Sequence, residues 1–124
     1  MIEKDLLTEK VIGCAIEVHR GLGAGLLESS YQACLTHELT LKNLKFKTEV
    51  PLPIFYKGLK VDGGYRIDIL VEDQLVLELK AVEEIKNIHL AQLLTYMKLG
   101  EFKTGLLISF NVSMLVDGVK RLSL

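Results

Sequence analysis

Asp68, Glu78 and Lys80 are spaced as D-x9-E-x-K. Two carboxylates brought together hold a hard divalent cation through their oxygens. A lysine beside them adds a positive charge that is not itself a ligand. The polarity pattern decides whether the chain brings them together. "YRIDILV" and "LVLELKA" read as two strands joined by "EDQ". Ile67, Ile69 and Val71 share one face of the first strand, and Leu75, Leu77 and Leu79 share one face of the second. Opposed residues of an antiparallel pair lie on the same face. Val71 is therefore expected opposite Leu75, Ile69 opposite Leu77 and Ile67 opposite Leu79. That register needs an odd loop, most simply Glu72, Asp73 and Gln74, or a bulge. The other face then carries Arg66 and Asp68 from one strand, and Glu78 and Lys80 from the next. Asp68 falls opposite Glu78, with Cβ atoms roughly 4.5–5.5 Å apart. Their repulsion is relieved by a divalent metal between them, or by Lys80 alone.

A second group lies in "GLLESSY", where Gly25, Glu28 and Tyr31 recur every third residue. A glycine-rich loop gives way to a helix here, and an acid in the first turn complements the helix dipole. A third group, His89, Gln92 and Tyr96, shares a face of a later helix that is not its apolar one.

These groups must be carried by regular elements. Asp5 or Thr8 can cap a first helix, whose stripe is Leu7, Val11, Cys14, Ala15 and Val18. "RGLGAG" stops it, since three glycines in five residues make poor helix interior. A second helix is expected over 27–42, with Tyr31, Cys34, Leu35 and Leu39 on its faces. "FKTEVPLPIFY" is rich in β-formers, but Pro51 and Pro53 make it an edge or bulged strand. "KGLKVDGG" reads as a turn, a short strand and a turn. After the hairpin, Asn87 can cap a helix running to Gly100, with Leu90, Leu93, Leu94 and Met97 as its buried stripe. "KTGLLISFN" is a buried strand and "VKRLSL" a last one.

The chain has 124 residues, 49% of them hydrophobic, and a net charge of −1. One domain over 1–124 with a real core is expected. The near-neutral charge announces no polyanionic partner. Basic residues cluster at Lys42, Lys45 and Lys47, at Lys57 and Lys60, and at Lys120 and Arg121. Cys14 and Cys34 sit in apolar helical contexts and suit a reducing compartment, with no metal-type spacing. The N-terminus lacks the apolar run of a signal peptide, and no segment is long and apolar enough to span a bilayer. A cytoplasmic protein is expected.

The ordered set of Gly25-x-x-Glu28-x-x-Tyr31, "YRID", "ELK" and "QLLTY" resembles the PD-(D/E)xK nuclease superfamily, and within it the small GxxExxY family. The likeness runs from "AIEVHRGLGAGLLESSY" through "GYRIDILVEDQLVLELKAVE" and "AQLLTYMKLG" to "GLLISFNV". It implies an α/β (α+β) restriction-endonuclease-like core. Two N-terminal helices precede a central mixed sheet of about four to five strands flanked by helices. It implies Mg²⁺ or Mn²⁺ as cofactor. Asp68 and Glu78 would be the metal-ligating acids, helped by the Leu79 backbone carbonyl. Lys80 would act on the attacking water and on transition-state charge. Glu28 would hold a water of the metal or a second metal. Gln92 and Tyr96 match the QxxxY motif over the same site. Tyr31, Arg66 and His19 are supporting positions. Ile67 stands where the superfamily's name has proline. The implied activity is phosphodiester hydrolysis in DNA, with RNA or branched DNA as a further reading. A homodimer or protein partner would help so small a core grip a duplex, and no membrane is involved. The alternative is a catalytically silent binding module that keeps the fold.

Overall fold

A computed structural model describes residues 4–124 of the chain. Helix α1 spans Lys4–Leu22 and helix α2 Glu28–Leu41. Strand β1 (Phe46–Pro51) is followed by two short strands, β2 (Ile54–Tyr56) and β3 (Leu59–Val61). Strands β4 (Arg66–Val71) and β5 (Leu75–Lys80) form the central hairpin. Helix α3 (Asn87–Gly100), strand β6 (Thr104–Ser109), a 3-10 turn at Leu115–Gly118 and strand β7 (Val119–Ser123) complete the order.

The main sheet runs β1-β4-β5-β6-β7, and β2-β3 stands apart as a two-stranded ribbon. Among the described strands, only β5 and β6 pair in parallel. Parallel neighbours need a long crossover, and α3 provides it. The five strands form the middle layer of three. On one face, Leu7, Val11, Ala15, Tyr31, Leu35 and Leu39 of α1 and α2 pack on Leu75, Leu77, Leu79, Leu106 and Ile108. On the other, Leu93, Tyr96 and Met97 of α3 pack with Leu70, Val76 and Leu107. Period-two alternation in β5 and β6 sorts these residues between the layers. The result is an α/β fold with two N-terminal helices and a mixed five-stranded sheet, as the sequence pattern implied.

Gly105 sets how closely α3 approaches. A Cβ there would lie 2.7 Å from Met97 Sδ and 3.0 Å from a Leu93 methyl. Only a bare backbone lets the helix sit this low on β6.

Several local expectations shift. "FKTEVPLPIFY" is one edge strand and the start of a separate ribbon, not one continuous strand. Between Pro51 and Pro53, Leu52 turns inward and its N–H donates to the Tyr65 carbonyl at 2.9 Å. Thr8 lies inside α1 rather than capping it. Asp5 also falls inside the helix, so the cap lies outside the described residues. Asn87 opens α3 but does not cap it. That place is Lys86, whose backbone N–H donates to His89 Nδ1 at 2.9 Å. The buried stripe of α3 includes Tyr96, while Leu90 and Leu94 are only half-buried.

Candidate active site

The β4-β5 hairpin has the expected three-residue loop. Glu72 and Asp73 both take positive φ, of 53° and 54°. Val71 pairs with Leu75, Leu70 with Val76 and Ile69 with Leu77. There the regular ladder stops, and Ile67 does not pair with Leu79.

Side chains take over where the ladder ends. The Leu79 N–H donates to Asp68 Oδ2 at 2.8 Å, and the Asp68 N–H donates to Glu78 Oε1 at 3.2 Å. Each acid thus satisfies a backbone donor of the opposing strand that a carbonyl would otherwise take. The strands fork, and the two carboxylates occupy the fork. The disturbance also breaks the alternation of β4. Ile67 packs with Leu52, Leu70 and Val76 instead of joining Ile69 in the α1-α2 layer. Val76, Glu78 and Lys80 share the face of β5 opposite Leu75, Leu77 and Leu79, and Lys80 reaches α3 from it.

Burial makes this pair electrostatically costly. Glu78 is 4% exposed. Its carboxyl is pushed up to about 8, first by burial and then by the Asp68 charge. The Asp68 N–H and Lys80 oppose the rise without cancelling it. Asp68 is also raised, by burial and then by the charges of Glu49 and Glu28, against the Leu79 N–H and Lys80.

Lys80 is half-buried and held from α3. Its Nζ donates to Gln92 Oε1 at 3.1 Å, and Gln92 Nε2 donates to the Tyr96 hydroxyl at 3.2 Å. Gln92 and Tyr96 are one turn apart, so one helix face carries the relay. Burial raises the Tyr96 phenol above its ordinary range, so it remains protonated at neutral pH.

Asp68, Glu78, Lys80, Gln92 and Tyr96 are therefore brought together, and Glu28 is linked to them through its charge alone. It opens α2, is exposed, and acts on Asp68 through charge. Among the described residues, no group of three or more His, Cys, Asp or Glu side chains is gathered closely enough to hold a metal.

Three supporting positions lie elsewhere. Tyr31 is fully buried and stacked on Phe110, with ring centroids 4.3 Å apart. Its hydroxyl donates to the Gly23 carbonyl at 2.7 Å and accepts from the Leu26 N–H at 3.1 Å. Within "GLLESSY", Gly25 thus supplies a left-handed turn at φ 99°, and Tyr31 ties the loop that delivers Glu28. His19 Nε2 lies 2.7 Å from the Val112 carbonyl, joining the end of α1 to the segment after β6. Arg66 Nη1 donates to the carbonyl of its own neighbour, Tyr65, at 3.0 Å.

Two residues near the site escape a reading of the sequence. Glu49 falls opposite Asp68 in the β1-β4 register, at φ 51°, and its charge acts on Asp68. Only the strand pairing reveals it. Ser109 is buried at the end of β6 and bonds both the N–H and the carbonyl of Val82. It fixes the exit of β5 just after Lys80. A serine ending an apolar strand is the only signal it leaves.

The sequence profile of the PD-(D/E)XK nuclease superfamily matches residues 5–122. The chain belongs to the PD-(D/E)XK nuclease superfamily. No curated protein and no solved structure matches it. Nucleases of this superfamily generally use divalent metals, and the donor set here suits one. A buried carboxyl, Glu78, and a half-buried one, Asp68, both with raised proton affinity, are short of positive charge. Mg²⁺ takes one or two protein carboxylates and completes its shell with carbonyl and water oxygens. Asp68 and Glu78 offer two carboxylates side by side. No helix among the described residues is long and apolar enough to cross a membrane.

Proposed function

We propose that residues 1–124 act as a single-domain, divalent-metal-dependent nuclease that hydrolyses phosphodiester bonds in DNA. The observation that carries this reading is the fork. Asp68 and Glu78 replace the sheet ladder and resist ionising together, and Lys80 stands beside them. A solvated ion pair on a sheet face needs neither the burial nor the broken ladder.

In this reading Asp68 and Glu78 hold Mg²⁺ or Mn²⁺, with the Leu79 carbonyl as a further ligand. The ion, when bound, supplies positive charge against the phosphoryl oxygens. Lys80 orients the attacking water or takes its proton, and offsets charge on the pentavalent phosphorus. Gln92 aims the Lys80 ammonium, and Tyr96 aims Gln92, so the lysine is fixed before substrate arrives. Glu28, on the loop tied by Tyr31, holds a further water or a second ion. Gly25, Glu28 and Tyr31 support membership of the GxxExxY family, since that motif builds a loop rather than merely starting a helix. His19 and Arg66 act by holding local structure. A cytoplasmic location and a homodimer or protein partner belong to the same proposal.

The test is metal-dependent cleavage by the purified chain, with Lys80→Ala as control. Lys80 is not a ligand, so metal binding is expected to survive the substitution while cleavage is lost. The alternative, a silent module retaining the fold, is favoured by the net charge of −1. It predicts that wild type and Lys80→Ala are equally inert.

A further inference from the structure

A groove of about 290 Å³ opens beside the Lys80–Gln92–Tyr96 relay. Gln92 and Tyr96 form part of its wall, and Ile54, Tyr65, Ile88, Ala91 and Leu99 form most of the rest. The wall is mainly apolar, yet it lies on the surface. Tyr65 is 42% exposed and Ile88 70% exposed. Tyr65 meets Tyr96 edge to face, with ring centroids 6.2 Å apart at 65°. Ile54 ties the groove to the β2-β3 ribbon, on which Tyr56 shares the face of Ile54 and Phe55 takes the other. The ribbon exposes Phe55 and Tyr56, with Lys60 Nζ 5.9 Å and Lys57 Nζ 5.4 Å from the respective ring centroids.

An occupant of this groove lies against Gln92, one hydrogen bond from Lys80. If the site is a nuclease centre, an occupant there is placed to be part of the substrate strand. The chain lacks the excess positive charge that grips a duplex through phosphates alone. Aromatic walls with nearby lysines are instead the means by which single strands are held, because every base has a π-face. A base inside an intact duplex cannot enter such a groove.

We infer that the groove takes an unpaired nucleobase of the substrate strand beside the scissile phosphate. The preferred substrate is DNA with at least one unpaired nucleotide at the cleavage point, such as a flap, a gap or a frayed end. Tyr65 is the stacking residue, and the β2-β3 ribbon supports the neighbouring nucleotides. The inference rests on the nuclease reading and names the substrate class for that site.

The test is binding, not cleavage. Fluorescence anisotropy would compare a blunt duplex with the same duplex carrying a three-nucleotide flap, in Ca²⁺ at low salt. A 2-aminopurine in the flap reports stacking. Wild type is expected to bind the flapped DNA at least five-fold tighter than the blunt duplex and to quench the 2-aminopurine. Tyr65→Ala removes the stack, and Ala91→Phe fills the groove from an exposed helix position. Each is expected to bring flapped-DNA affinity down to the blunt-duplex level and to abolish quenching. Equal wild-type affinity for both DNAs, or a preference that survives both variants, would overturn the inference and leave the nuclease reading standing. No binding of either DNA would overturn both. A wild-type dimer in sedimentation that Ala91→Phe dissociates would also overturn it, by assigning the groove to a second copy of the chain.

Discussion

Glu78→Gln tests the electrostatics of the fork without any assay of activity. The wild-type Glu78 carboxyl is raised to about 8 from an ordinary 4.5. Between those values the unfolded chain ionises Glu78 while the folded chain keeps its proton. Unfolding then releases a proton, so stability falls as pH rises. The contribution is fully present below 4.5, drains away up to about 8, and is gone above that. The slope reaches about 1.4 kcal/mol per pH unit, and the whole window has a ceiling of about 5 kcal/mol. Glutamine keeps an oxygen for the Asp68 N–H and carries no charge at any pH. The variant is therefore expected to match wild type near pH 4.5 and to exceed it by a few kcal/mol at pH 8. Urea unfolding followed by circular dichroism in EDTA, at half-unit steps from pH 4.5 to 8.5, measures both curves. Taking their difference removes the titrating groups that do not act on Glu78 and leaves the titration of Glu78 together with that of its neighbour Asp68. A difference that stays flat across the window, or a variant no more stable than wild type at pH 8, would refute the electrostatic reasoning.

Millimolar Mg²⁺ or Mn²⁺ at pH 8 is expected to raise the wild-type melting temperature, with about 2.7 kcal/mol gained at a hundred times the dissociation constant. Asp68→Ala and Glu78→Ala should each lose that response in differential scanning fluorimetry. Gln92→Ala is expected to lower kcat for cleavage by roughly ten-fold or more, with the metal-induced melting shift unchanged, because it frees the Lys80 ammonium without touching the acids. Tyr31→Phe removes two hydrogen bonds from the loop before α2 and should cost about 1–2 kcal/mol in urea unfolding, again with the metal response kept.

The hairpin shows how far polarity patterning reaches. Val71, Leu75, Ile69 and Leu77 are paired as their alternation requires, because a one-residue slip would bury the wrong face. Ile67 escapes the same logic. Asp68 and Glu78 accept from backbone N–H groups, and no period-two pattern encodes a side chain replacing a carbonyl. The main helices were legible from apolar spacing, α3 over Asn87–Gly100 among them, but its cap was not, because His89 accepts from the N–H of Lys86, which takes the place given to Asn87. Asp68, Glu78 and Lys80 were legible from type and spacing, and Gln92 from its place on α3. Tyr31 was visible as a motif residue, while its task of tying Gly23 and Leu26 required the loop itself. Glu49 was hidden because β1 is remote from Asp68 in sequence and adjacent only through the sheet.

The central claim is that Lys80 performs chemistry beside two metal-holding carboxylates. It is tested most directly by cleavage of single-stranded, duplex and branched DNA, and of RNA, with Mg²⁺ and with Mn²⁺ at low salt. Wild type and Lys80→Ala are compared, each first shown to bind the metal by its melting shift. Metal-dependent cleavage of DNA by wild type and none by the variant is expected. Two proteins that both bind metal and are equally inert on every substrate, or equally active, would contradict it.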